Sequence, residues 1–211
     1  MSESDTSDLG GILQAIARCG DLAGWWPGQG DEVAIGAVLT QQTRWENVQL
    51  ALVHLKQRGL CNLERIYHTP SGEIEEAIRP AGFYRVKTRR LKALSSFVID
   101  RYGTFEAMLE YPLPSLRQSL LEVPGIGPET ADSILCFGLM KPTLVVDRYT
   151  EQICACGGAV EKGERLKKRL ELYLPPEVSV FQRVHAQFVE YAKEYCGKRK
   201  CEDCGIPPLN A

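Results

Sequence analysis

The sequence contains no run approaching the roughly 20 apolar residues that a membrane-spanning helix requires, which excludes a helical membrane protein. Its first residues, MSESDTSDLG, are polar and acidic rather than basic and then apolar, so a secretory signal is not expected and a cytoplasmic location is. Excess charge of one sign is also missing. With 25 Lys and Arg against 27 Asp and Glu the net charge is -2, so overall charge does not announce a nucleic-acid partner. Internal repeats and low-complexity linkers are absent, and the alternation of apolar and polar residues that marks a half-buried strand is scarce. The three histidines, His54, His68 and His185, have no metal-ligand spacing and read as core or surface residues.

What the chain has is helix after helix. Apolar residues recur at helical spacing in LGGILQAIARCG, in EVAIGAVLTQQTRWENVQLALVHLKQRG, in SGEIEEAIRP and in KTRRLKALSSFVIDRYG. The same holds for PLPSLRQSLLEV, GPETADSILCFGLM, VVDRYTEQICACGG and VSVFQRVHAQFVEYAKEYC. The expected fold class is all-α with short connections, and 211 residues suffice for one large or two small domains. In a reducing compartment the eight cysteines are expected as core residues or metal ligands; Cys19, Cys61 and Cys136 read as small apolar fillers.

Charge is concentrated locally. RPAGFYRVKTRRLK, residues 79–92, holds six basic residues and no acid, with Phe83 and Tyr84 among them. Arg85, Lys87 and Arg89 are candidates for phosphate contacts, against the alternative of a solvated helix face.

LLEVPGIGPETADSIL reads as helix, tight turn, helix. Gly125 and Gly127 are expected to allow backbone conformations closed to other residues, and Pro128 suits the first turn of the second helix. Such a turn presents backbone N–H groups at a helix start, where a phosphate is favoured. Downstream, Asp147 follows the apolar TLVV and suits two roles: N-cap of the helix RYTEQICACG, and a carboxylate for catalysis.

Together VPGIGPETA and VVDRYT resemble the helix-hairpin-helix and aspartate signature of the endonuclease III-like DNA glycosylases. AVLTQQT, GFYRVKTRRL and the cysteine-rich tail fall in that family's order, so the resemblance spans nearly the whole chain. It implies a six-helix domain over 31–142, with the hairpin at about 115–140, and a second helical domain from 1–30 plus 143–211, with DNA along the cleft between them. The implied partner is double-stranded DNA containing damaged bases, bound by a monomer. Asp147 would stabilise the positive charge that develops on the sugar as the base leaves, and orient the attacking water. Gln42, beside Gln41, matches the glutamine that fills the space of the extruded base, and Glu129 and Thr130 lie in the DNA-binding hairpin. Bifunctional members carry a lysine where this chain has Glu129, and a carboxylate forms no imine, so a monofunctional enzyme is expected.

WWPGQGDEVAIGAVLTQQTRWENV resembles the pocket region of the 3-methyladenine DNA glycosylase III subfamily, whose aromatic side chains sandwich the extruded base. This points to Trp25 or Trp26 with Pro27 on one side and Trp45 on the other, set against the alternative of a tryptophan-rich core. Lys193 matches a pocket lysine, whereas Gln187 stands where the subfamily has a modified lysine. The implied activity is excision of alkylated purines, 3-methyladenine above all; the alternatives are another damaged or mismatched base, or a non-catalytic DNA-binding module. The tail places Cys196, Cys201 and Cys204 as C-x4-C-x2-C, whereas the family's [4Fe–4S] loop is C-x6-C-x2-C-x5-C, and Asn210 occupies the fourth position. A cluster with Cys154 or Cys156 as fourth ligand, a zinc site and a decayed loop all remain open.

Overall fold

The computed structural model describes residues 7–200 and 202–206, and every regular element among them is helical. The chain forms two compact units: one is continuous from Trp26 to Lys141, and the other joins the chain up to Trp25 with the chain from Pro142 onward.

The continuous unit is built around α2 (Asp31–Leu39), whose residues Val33 to Leu39 are all buried. A helix that is apolar on every face belongs in the centre of a core. Against it lie α3 (Trp45–Gln57) and the 19-residue α6 (Tyr84–Tyr102). In α3, Val48, Ala51, Leu52 and Leu55 recur at i, i+3, i+4 and i+7 and form the buried stripe. Each large apolar side chain so buried contributes about 1.5–3 kcal/mol. Short helices α4 (Leu63–His68) and α5 (Ser71–Ala77) connect α3 to α6; α4 starts on an Asn62 side chain that accepts from Arg65 N–H. Helices α7 (Leu113–Leu121) and α8 (Pro128–Ser133) form the hairpin, and α8 runs on into a wide helical turn, Ile134–Gly138.

The single long helix suggested by EVAIGAVLTQQTRWENVQ is in fact two. Helix α2 ends at Leu39, a turn occupies 40–44, and α3 begins at Trp45. No glycine or proline marks that break, and its cause lies elsewhere in the chain.

The other unit packs α1 (Ser7–Ile16), α9 (Arg148–Cys156), α10 (Gly163–Tyr173) and α11 (Val178–Tyr191). Helix α11 carries Phe181, Val184, Phe188 and Tyr191 into the core. The close approach of α1 to the end of α9 leaves no room for a side chain at Gly157, where a Cβ would sit 2.5 Å from Ile12 Cδ1. Helix α10 stands out little in the sequence because its apolar face is narrow: Leu166 and Leu170 are buried among charged neighbours.

Candidate active site

Asp147 is reached along a buried segment without regular secondary structure, Thr143–Val145, and no strand lies beside it among the described residues. Side chains therefore take its backbone polar groups. Glu171 Oε1 accepts from Leu144 N–H at 2.9 Å, Lys167 Nζ donates to the Leu144 carbonyl at 2.6 Å, and His185 Nδ1 donates to the Val145 carbonyl at 3.2 Å. Asp147 then caps α9, its Oδ1 accepting from Thr150 N–H at 2.8 Å and from the Thr150 hydroxyl at 2.9 Å. Its Oδ2 has no hydrogen-bond donor among the described residues, and the side chain is only half-buried. One oxygen thus holds the helix start and the other is available to chemistry.

His185 is buried next to this carboxylate. Burial pushes its imidazole below the ordinary value, against the pull of the Asp147 charge and of the bond to Val145. Nothing in the local sequence distinguishes His185 from a core histidine; its place follows from where α11 packs.

The His185 ring also meets Trp25, with ring centroids 5.6 Å apart and planes at 81°. Trp25 Nε1 donates to Glu190 Oε1 at 2.8 Å, and Lys193 Nζ donates to the same oxygen at 2.7 Å. Burial alone would raise the Glu190 carboxyl, but the bonds from Lys193 and Trp25 and the ammonium charge hold it below its usual value. The Lys193 ammonium lies 5.7 Å from the centre of the Trp25 ring. Gln187 is buried and donates to the Gly20 carbonyl at 2.8 Å, a packing bond. Asp147, His185, Trp25, Glu190 and Lys193 all belong to the discontinuous unit.

Trp26 and Trp45 belong to the continuous unit and touch edge to face, with centroids 5.8 Å apart and planes at 69°. Trp26 also packs on Phe137 at 5.2 Å. These rings are in direct contact, so a base stacked on Trp45 has to use the part of that ring Trp26 leaves uncovered. Pro27 is exposed.

The turn after α2 separates the two glutamines. Gln41 Nε2 donates to the Gly125 carbonyl at 3.0 Å and to the Thr130 hydroxyl at 2.9 Å, while Gln41 Oε1 accepts from Arg90. Gln42 is exposed and has φ of 54°, a left-handed conformation uncommon outside glycine. In the hairpin, Gly125 has φ of 87°, and a Cβ there would lie 2.5 Å from Arg90 Cγ. Gly127, at φ of -90°, does not need glycine's freedom, contrary to the sequence expectation. Thr130 is buried and holds Gln41, whereas Glu129 is exposed at the start of α8. Arg117 grips the buried Asp132 through two bonds, 2.7 and 3.0 Å, and fixes α7 to α8.

The basic segment divides. Arg85 and Arg89 are exposed, Arg85 within 3.9 Å of Glu75 Oε2, whereas Lys87 is 1% exposed and cannot reach a phosphate. Its ammonium donates to the Leu39 carbonyl at 2.7 Å, to the Ala81 carbonyl at 2.8 Å and to the Thr43 hydroxyl. Desolvation, aided by the nearby Arg90 charge, lowers its pKa to about 8. Lys87 is therefore corrected from a DNA contact to an internal fastener that ends α2 and shapes the following turn. The sequence missed this because alternation of basic residues along one helix does not reveal which of them faces inward. Phe83, at the start of α6, is 66% exposed with φ of 45°.

In the cysteine loop, Cys201 and Asn210 lie outside the described residues. Cys204 Sγ donates to the Ile206 carbonyl at 3.6 Å, and no group of three metal-capable side chains exists among the described residues. Cys154 is a core residue of α9 whose thiol burial pushes up to about 12. Neither Cys154 nor Cys156 is gathered with Cys196 and Cys204 into such a group among the described residues.

The model of the HhH-GPD superfamily of base excision DNA repair proteins matches residues 35–176. The chain is 38% identical over 189 residues, 86% of both chains, to a Methanocaldococcus jannaschii protein whose assignment as a DNA repair glycosylase is itself an inference. It is 28% identical over 183 residues to endonuclease III of Thermotoga maritima, covering 82% of this chain and 78% of that one. Among solved structures, the H. pylori 3-methyladenine DNA glycosylase bound to 1,N6-ethenoadenine superposes with a TM-score of 0.79 at 30% identity, over 87% of this chain and 96% of that one.

Proposed function

Since the chain belongs to the HhH-GPD superfamily of base excision DNA repair proteins, we propose that it is a monofunctional glycosylase that hydrolyses the N-glycosidic bond of alkylated purines, 3-methyladenine foremost. The observation that carries this reading is Asp147, whose Oδ1 is engaged as a helix cap and whose Oδ2 has no donor among the described residues. As the base departs, positive charge grows on the sugar; a fixed carboxylate stabilises it without reorganising and orients the water that completes hydrolysis. A 3-methylated adenine is already cationic and leaves readily, so no strong general acid is required.

Strand cleavage by the lyase route needs an amine to attack the sugar, and the hairpin offers Glu129 there. Gln42, exposed and strained, suits the wedge that fills the vacated stack. The ethenoadenine in the H. pylori neighbour is a modified adenine and supports the substrate class.

One observation favours a second reading, a different damaged base. The Lys193 ammonium already sits on the Trp25 ring, where it competes with a cationic base for that ring. Release of free base from alkylated, mismatched and undamaged duplexes separates the two readings. Selective release of 3-methyladenine, with strand breaks only after alkali and no borohydride-trapped adduct, is the expected result. A trapped adduct overturns the monofunctional assignment.

A further inference from the structure

Lys167 and Glu171 lie on α10, away from every motif in the sequence, yet their side chains converge on the segment that delivers Asp147. Lys167 is 5% exposed, while the adjacent Lys168 faces water as a helical lysine ordinarily does. The Lys167 ammonium donates to the Thr143 hydroxyl at 2.5 Å, to the Leu144 carbonyl at 2.6 Å and to Glu171 Oε1 at 2.8 Å. That same Glu171 oxygen accepts from Leu144 N–H at 2.9 Å. Both backbone polar groups of Leu144 therefore end on one ion pair, and His185 takes the next carbonyl, that of Val145.

A partly buried ion pair, with the Lys167 side chain covered and that of Glu171 28% exposed, is a weak source of stability, because desolvation offsets the attraction. Two apolar side chains would pack α10 as well, but they would leave the Leu144 amide and carbonyl unmatched at a cost of about 1–3 kcal/mol each. Fixing both groups of Leu144 sets the two peptide planes that flank it. On the far side, the cap bond to Thr150 fixes Asp147 from within α9. Asp147 is thus held from both directions, and the half of that grip outside its own helix comes from α10 and α11.

The geometry points to Lys167 and Glu171 as positioning residues for Asp147, with His185 holding the adjacent carbonyl; the inference rests on the catalytic role of Asp147 proposed above. A carboxylate that must face a developing charge loses about a hundredfold when misplaced by ~1 Å, so the cost of losing this pair falls on the chemical step.

The test uses the full chain and three variants: Glu171→Ala, Glu171→Asp and Glu171→Gln. Aspartate keeps a charge beside Lys167 but, one methylene shorter, withdraws the acceptor from Leu144 and guards against loss of fold in the alanine variant. Glutamine keeps a carbonyl oxygen able to accept both bonds. Single-turnover release of 3-methyladenine, affinity for the same alkylated duplex, melting temperature and hydrogen exchange at the Leu144 amide are measured together. The expected result is faster Leu144 exchange in the alanine and aspartate variants, with release slowed about ten- to a hundredfold and affinity unchanged, and recovery of most of the rate with glutamine. Wild-type release rates in the aspartate variant, despite faster exchange, overturn the inference. So do parallel losses of rate, affinity and stability that glutamine does not restore, since the pair then only supports the fold. A wild-type chain that releases no base from alkylated, mismatched or undamaged duplex overturns the glycosylase reading and this inference with it.

Discussion

Gln41 and Thr130 are joined by a 2.9 Å hydrogen bond from amide nitrogen to hydroxyl, so the first of two adjacent glutamines ties the turn after α2 to the hairpin. Its neighbour is left exposed in a left-handed conformation. Strain of this kind costs about 1–3 kcal/mol and persists where the surroundings impose it. Gln42→Gly should therefore raise the melting temperature while slowing base release. Gln41→Ala should instead lower stability, because the Arg90 guanidinium and the Thr130 hydroxyl lose a partner. Thermal melts and release rates on both variants check the division of labour.

Asp147→Asn separates capping from chemistry. Asparagine caps helices about as well as aspartate, so the fold and the bond to Thr150 should survive. Removal of the charge should slow base release by about 10²–10³-fold, the scale found for losing one preorganised stabilising group. Undiminished release by a folded variant would refute the catalytic role.

Lys87 and Arg89 lie two residues apart on α6 and should behave oppositely. Arg89→Ala should weaken DNA binding and reduce its salt dependence by about one phosphate contact without affecting stability. Lys87→Met leaves the Leu39 carbonyl without its donor and removes one of two donors to the Ala81 carbonyl, which keeps the Thr43 hydroxyl at 2.6 Å, at a cost of about 1–3 kcal/mol. Its salt slope should match the wild type. Denaturant melts and affinity at several salt concentrations distinguish them.

His185 gives stability a pH dependence. Its folded value is depressed below the ordinary 6.5 by burial, so the unfolded chain binds the proton more readily. The contribution is complete above about 6.5 and is lost as pH falls through the lowered folded value. The melting temperature should drop on that acid limb, and His185→Gln, which carries no titrating ring, should flatten it. An unchanged acid limb in the variant would assign the dependence to other groups.

The sequence by itself determined the helical class, the hairpin and the aspartate, because each is written locally. The apolar stripe of α3 repeats at helical spacing, Gly125 supplies a positive φ, and Asp147 stands one residue before the helix it caps. The place of Glu129 in the first turn of α8 was legible for the same reason, whereas which basic residues of α6 face outward was not. Tertiary structure decided everything that depends on a partner far along the chain. Helix α2 stops at Leu39 because Lys87, 48 residues later, takes its carbonyl, and Gln41 rather than Gln42 meets the hairpin because of where Gly125 and Thr130 lie. His185, Lys167 and Glu171 share no motif with Asp147 and come to its segment only through the packing of α10 and α11. A buried polar side chain is defined by the backbone group it satisfies, and no local pattern specifies which group that will be.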